Sequence, residues 1–362
     1  MNRKIQFRLA LLLLLMPFVV LANTEIETAK TTEERTIKKS FNVSSNATVQ
    51  VKNSFGNLDI ITWDENRVEF DITIRITGNN AEKVQERLDG IDVEFSSSTN
   101  LVSAITEISK TEKSWWNWGK KANLKMEIDY VIKMPMTNNV DLNNKFGSIN
   151  LDKLKGSSKI RCDHGKITTK ELMSSKNVIN FNHTRNCYFE YIKEGEISAN
   201  HSGFTVAKTE KITIKANHTR SIVEFAENVD YDCNHGSLKV DNVNNLEGEG
   251  NHLTFRIGNM FKNLTVEGSH GSLKIDRIAS KANNIDIDVK FTSMTIGFDA
   301  AFNFNFDLYF AHSSLRDSDD FNFTNKEINH TSKKYQGYYG TEGSGNMLKI
   351  NSQHGSVSFK KQ

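Results

Sequence analysis

Apolar and polar positions alternate in short bursts along most of this chain. Leu238 and Val240 fall on one face while Ser237 and Lys239 fall on the other, and Ile149 with Leu151, Leu273 with Ile275, and Met294 with Ile296 repeat the pattern. A period of two marks a strand with one buried face. The bursts themselves recur. Cys233-Asn234-His235-Gly236-Ser237-Leu238-Lys239-Val240 returns as Gly268-Ser269-His270-Gly271-Ser272-Leu273-Lys274-Ile275, with weaker copies at Asp163-His164-Gly165 and Gln353-His354-Gly355. Phe replaces His in Ser54-Phe55-Gly56 and Lys145-Phe146-Gly147, and Asn-His pairs without glycine stand at 182–183, 200–201, 217–218 and 251–252. The ring residues Phe146, His164, His183, His201, His218, His235, His252 and His270 are separated by 18, 19, 18, 17, 17, 17 and 18 residues; Phe291 and His312 continue at intervals of 21, and His354 follows 42 later.

A unit of two or three strands of about four residues cannot bury its own apolar face, so such units must stack. Eighteen extended residues span at most about 60 Å, enough for a flattened triangular coil with each strand parallel to its copy about 4.8 Å away. The expected fold is therefore all-β: a right-handed parallel β-helix of about 17–21 residues per coil, the hand following the chirality of parallel crossovers. A left-handed helix of hexapeptides would need an aliphatic residue at every sixth position, which the chain does not keep. Asn before the ring and Gly after it read as suppliers of left-handed torsions at each corner.

The repeat is interrupted twice. Residues 41–62 read as a first coil, and 63–139 as an inserted cap of long strands with a helix at 80–91, on which Val84, Leu88 and Ile91 share a face after an Asn80 cap. Coils then run over 140–362, with a glycine-rich loop or hairpin near 316–345. The segment 23–40 is expected to be flexible. Residues 1–22 carry Arg3, Lys4 and Arg8, an apolar run from Leu9, and a Val20-Leu21-Ala22 ending, the form of a cleaved secretory signal. The run is short of the roughly 20 residues that span a bilayer, and no later stretch approaches it, so no transmembrane segment is expected in the mature chain. Export to the periplasm or cell surface is the expected localisation.

The formal charge of +2 falls to −1 without those three basic residues, 43 against 44, which argues against a nucleic-acid partner. Cys162, Cys187 and Cys233 are an odd set with no zinc-motif spacing, and read as buried, inert thiols.

Asn53-Ser54-Phe55-Gly56-Asn57-Leu58-Asp59-Ile60, Trp63-Asp64, the Ala81-to-Leu88 helix and the late Tyr-Gly-rich stretch before Leu348-Lys349-Ile350-Asn351 together resemble a family of bacterial exported proteins named putative adhesins, the DUF4097 type. The resemblance spans nearly the whole chain after residue 22. It implies a β-helical repeat and a non-enzymatic adhesin or cell-envelope binding or scaffold role, with an envelope protein or polysaccharide as partner, and it brings no catalytic or cofactor residues.

Nine of the ten histidines occupy the ring position. Stacked imidazoles about 5 Å apart invite a metal reading, but Phe at 55, 146 and 291 cannot ligate, and no acid or thiol accompanies the row at a fixed offset apart from Cys162 and Cys233, each two residues before its His and four turns from the other. A structural ladder of flat rings is the reading preferred, with no metal or cofactor. A carbohydrate-active enzyme, the other alternative, needs gathered carboxylates, whereas the acids here are scattered and no catalytic residues can be assigned. Trp115, Trp116 and Trp118, flanked by Lys113, Lys120 and Lys121, form a candidate binding patch in the inserted cap.

Overall fold

The computed structural model describes residues 30–109 and 124–362; it is all-β apart from one helix among those residues, and 24 strands join one hydrogen-bonded sheet. The signal-like segment and the Trp115, Trp116 and Trp118 patch lie outside the described residues. No described helix is long and apolar enough to cross a membrane.

The amino-terminal end differs from expectation. Thr31–Asn42 (β1), most of it in the stretch expected to be flexible, pairs antiparallel along its full length with Arg67–Gly78 (β4). Ile37 and Phe41 anchor it on the core, Phe41 lying edge-on to Phe70 at 6.2 Å, while Lys38 and Glu34 reach Asp71 and Arg75 on the outer face. The strand thereby covers an edge of β4 that would otherwise be open to pairing. Thr48–Ser54 (β2) and Leu58–Trp63 (β3) come between them in the chain, joined through Phe55.

β4 buries Val68, Phe70, Ile72, Ile74 and Ile76 in strict alternation. Asn80 stays extended and accepts a hydrogen bond from the Lys83 N–H at 2.9 Å, capping Ala81–Asp89 (α1), whose Val84 and Leu88 are buried. Ile91–Ser98 (β5) and Leu101–Ile108 (β6) form an antiparallel pair, and Lys125–Pro135 (β7) runs antiparallel to β4. β6 also pairs in parallel with β2, and β7 with β3, so the insertion closes one end of the parallel stack.

On the other side of β2 and β3 lie Asn139–Lys145 (β8) and Ile149–Leu151 (β9). Ser158–Asp163 (β10), Ile167–Leu172 (β11), Asn177–Asn182 (β12), Cys187–Asn200 (β13), Gly203–Asn217 (β14) and Arg220–Ser269 (β15) follow. Each pairs in parallel with the segment one period on. β15, 50 residues long, contains the ring positions His235 and His252. The registers align Val51, Leu142, Ile160, Ile179, Ile197, Ile214 and Tyr231 in one file of buried side chains. Burying each aliphatic member contributes about 1.5–3 kcal/mol relative to exposure, so these files carry much of the stability.

Ser272–Ile278 (β16), Ile285–Lys290 (β17), Ser293–Phe298 (β18), Phe304–Ala311 (β19) and Ser314–Arg316 (β20) extend the pattern, but spatial order then departs from chain order. Asn322–Ile328 (β21) and Ser332–Tyr339 (β22) form an antiparallel hairpin, and β22 runs antiparallel to β19. Met347–Gln353 (β23) pairs in parallel with both β17 and β19, and Ser356–Lys361 (β24) with both β18 and β20. The last segment of the chain is thus inserted between two earlier ones. Phe298, Phe304, Phe321, Tyr339 and Phe359 pack together there, with ring centroids 4.9–6.4 Å apart, and plug that end.

Candidate functional site

The ring positions form one file on the outside of the molecule. In spatial order it runs Phe55, Phe146, His164, His183, His201, His218, His235, His252, His270, Phe291, His354 and His312. Neighbouring centroids are 4.7–5.2 Å apart and the planes diverge by only 6–22°. His354 stands between Phe291 and His312, so the chain-order expectation of His312 directly after Phe291 is corrected. All twelve rings are exposed. Eleven steps at ~4.8 Å make a row roughly 50 Å long.

Backbone conformation accounts for the row. All twelve residues have φ between 48° and 64°, the left-handed region that costs a non-glycine residue roughly 1–2 kcal/mol. His164, His183, His201 and His218 donate their N–H to the carbonyls of Asn182, Asn200, Asn217 and Asn234, the residues just before the next ring, at 3.0–3.1 Å. The left-handed torsion therefore belongs to the ring residue, not to the Asn before it or the Gly after it. The glycines serve close approach instead: a Cβ on Gly147 would lie 1.8 Å from the carbonyl oxygen of Gly56, and one on Gly165 would lie 2.0 Å from that of Gly147.

Side-chain amide hydrogen bonds also link successive periods. Asn200 donates to Asn182 at 3.1 Å, and Asn182 to Asp163 at 2.9 Å. Seven residues before a ring, Asn263 donates to Asn245 and Asn245 to Asn228 at 2.9 and 3.0 Å. The spacings of 18 and 17 residues were visible, but nothing marked these Asn among the many others.

Charge divides the face beside the rings. Of the residues three before a ring, the charged ones are Lys52, Arg161 and Lys215 in the earlier periods and Asp232, Glu249, Glu267 and Asp288 in the later ones, all exposed. Asp276, farther from the row, is held below the usual carboxylate range: burial raises its pKa, but hydrogen bonds from Lys274 and Arg256 outweigh that.

The stack is poorly arranged for a metal. Donor atoms bound at about 2.0–2.1 Å in a tetrahedral site converge to within about 3.4 Å of one another, whereas parallel rings at 4.7–5.2 Å direct their nitrogen lone pairs side by side. Among the described residues no group of three His, Cys, Asp or Glu could hold a metal ion. Cys162, Cys187 and Cys233 are buried and unbonded to one another. Burial pushes the Cys162 and Cys233 thiols up to about 12 and raises that of Cys187 as well.

No family model matches this chain, and no curated protein does. Among solved structures it is similar to a putative adhesin from Parabacteroides merdae, 10% identical, over 90% of this chain and 96% of that one, with a TM-score of 0.33. A putative adhesin from Parabacteroides distasonis is 11% identical over 72% of this chain and 93% of that one, with a TM-score of 0.32. A putative lipid binding protein from the same organism is 11% identical over 90% and 96%, with a TM-score of 0.31. No residue role or ligand passes from these structures to this chain.

Proposed function

We propose that the chain is an exported, non-enzymatic binding or scaffold module of the cell envelope, built as a right-handed parallel β-helix. Its first coil would lie at 41–62, its cap at 63–139 and the remaining coils at 140–362. Parallel pairing between segments 17–21 residues apart supports the coil, and the chirality of parallel crossovers supports the hand. Residues 1–22 supply the export signal. The observation that carries the binding reading is the unbroken row of twelve exposed rings. Only Phe55, Phe146 and Phe291 in the row are apolar; the nine imidazoles offer polar edges that can hydrogen-bond a ligand, and a stack held by strand spacing presents them without loss of side-chain freedom on binding.

The test incubates the full chain with isolated envelope polysaccharide and envelope protein, and measures both retention and polymer chain length. Retention with unchanged chain length is expected. Shortening of the polysaccharide would move the protein to the enzymes, and the absence of retention by either fraction would overturn the binding reading.

A further inference from the structure

Along the flank that follows the rings, one corner is built differently. His201 is followed by two residues before the buried Phe204, but His183 is followed by three before the buried Cys187: Thr184, Arg185 and Asn186, the last in left-handed conformation at φ 58°. The added residue pushes Arg185 and Asn186 outward. The next position along this flank is Gly203, which aligns with Arg220. A Cβ on Gly203 would meet no atom closer than 3.9 Å, so the glycine is not needed for packing and leaves open space. The result is a hollow of about 500 Å³ walled by the edges of His183, His201 and His218 and by Arg185, Asn186 and Arg220. It adjoins a shallower hollow of about 660 Å³ that continues along His218, His235 and His252.

Its charge is uncompensated. Five of the ten described arginines, Arg67, Arg75, Arg161, Arg256 and Arg277, each face a carboxylate; Arg185 and Arg220, like Arg35, Arg87 and Arg316, face none within 4 Å among the described residues, and no carboxylate lines either hollow. Two free guanidiniums beside imidazole edges match the geometry of carboxylate or sulfate groups. The hollows follow the row, which suits an extended polymer. Beyond Arg220 the flank becomes Ser237, Thr254 and Ser272, so cationic charge is sparse. That spacing fits a sugar chain with intermittent anionic groups better than nucleic acid, with a phosphate at every step.

We propose that this hollow binds the carboxylate or sulfate groups of an acidic polysaccharide. Arg185 and Arg220 grip the anion, and the edges of His201 and His218 bond the neighbouring hydroxyls. This names a ligand class for the binding module and rests on that reading.

The experiment measures binding of the full chain to heparin, polygalacturonate and neutral dextran by calorimetry at fixed salt. Binding to heparin, polygalacturonate or both is expected, the two separating sulfate from carboxylate recognition, with no binding to dextran. The Arg185→Ala/Arg220→Ala variant should bind about tenfold or more weakly, as loss of charge-assisted hydrogen bonds does. Gly203→Glu, which sets a carboxylate between the two guanidiniums at a position with room for it, should do the same while keeping the wild-type melting temperature. Lys211→Ala, which removes a cation paired with Asp230 at 3.7 Å outside the hollow, should change nothing. Wild-type affinity in both hollow variants, binding of neither polyanion, or tighter binding of single-stranded DNA than of either polysaccharide would overturn the assignment. A chain that ignores both polyanions yet is retained on envelope material loses this site and keeps the binding role; one that does neither loses both.

Discussion

The corner residue carries two opposed terms. Its left-handed torsion costs roughly 1–2 kcal/mol, and each ring gains about 0.5–1.5 kcal/mol from every neighbour on which it stacks. His235 has two such neighbours, His218 at 4.9 Å and His252 at 4.7 Å. His235→Ala keeps the torsion and loses both contacts, so a loss of about 1–3 kcal/mol is expected. His235→Gly loses the same contacts but relieves the torsion, and should fall between Ala and wild type; His235→Phe should be close to neutral, since Phe already holds this position at 55, 146 and 291. Denaturant midpoints test the order, and a Phe variant as weak as Ala would refute the ladder. One residue on, the chemistry changes. Gly147→Ala sets a methyl 1.8 Å from the Gly56 carbonyl oxygen and 2.5 Å from its carbon, and should cost about 1–3 kcal/mol or more because two backbones must separate. At Ser202, Thr219 and Thr292 the same position is met another way, their hydroxyls accepting the N–H of Thr184, Ser202 and Gly271 from the neighbouring period.

At the scale of elements, what the structure needs most is that strand edges be covered, and the carboxy-terminal strands do this from inside the stack. β23 and β24 bury Leu348, Ile350, Val357 and Phe359 between β17–β18 and β19–β20. A chain ending at Gly345 gives up about 1.5–3 kcal/mol for each of those four side chains and leaves facing strands unpaired. It should aggregate or unfold on size-exclusion chromatography, while Ile328→Ser, at a side chain 63% exposed on β21, should elute and melt as wild type. A monomeric, wild-type-stable truncation would show that these strands do not hold that end together. This insertion was not legible in the sequence: 21 residues separate His312 from Phe291 whether one or two strand spacings lie between them. β1 was hidden for another reason, since Ile37 and Phe41 are its only apolar anchors and its partner lies 25–47 residues away. The parts that were legible obey local rules. Alternating Ile, Leu and Val mark strands because the pleat has period two, and Asn80 marks a helix start because the first turn lacks acceptors. Of the hollow, His183, His201 and His218 could be read from the repeat, but Arg185 and Arg220 could not, because their isolation from carboxylates is a property of space.

For the whole molecule, stability divides into interactions within a period and between neighbouring periods, since the files of side chains connect only adjacent layers. A uniform stack should therefore survive the loss of a layer if the register on both sides is kept. Excising the 17 residues Thr219–His235 joins His218 to Gly236 and leaves one ring per corner. It brings Val240 where Val223 stood and Leu246 where Val229 stood, apolar for apolar. The shortened chain should retain its strand signature by circular dichroism, remain monomeric, and lose about 4.8 Å of length in solution scattering. It should also unfold at a lower denaturant concentration, having lost one layer's contacts. Excising 9 residues instead, Asn234–Asn242, puts every following side chain half a period out of file and turns apolar positions outward at each later corner. That variant should fail to fold. If the two excisions are equally tolerated, or equally ruinous, the layers are not interchangeable units, and the β-helix proposed for this chain fails with them.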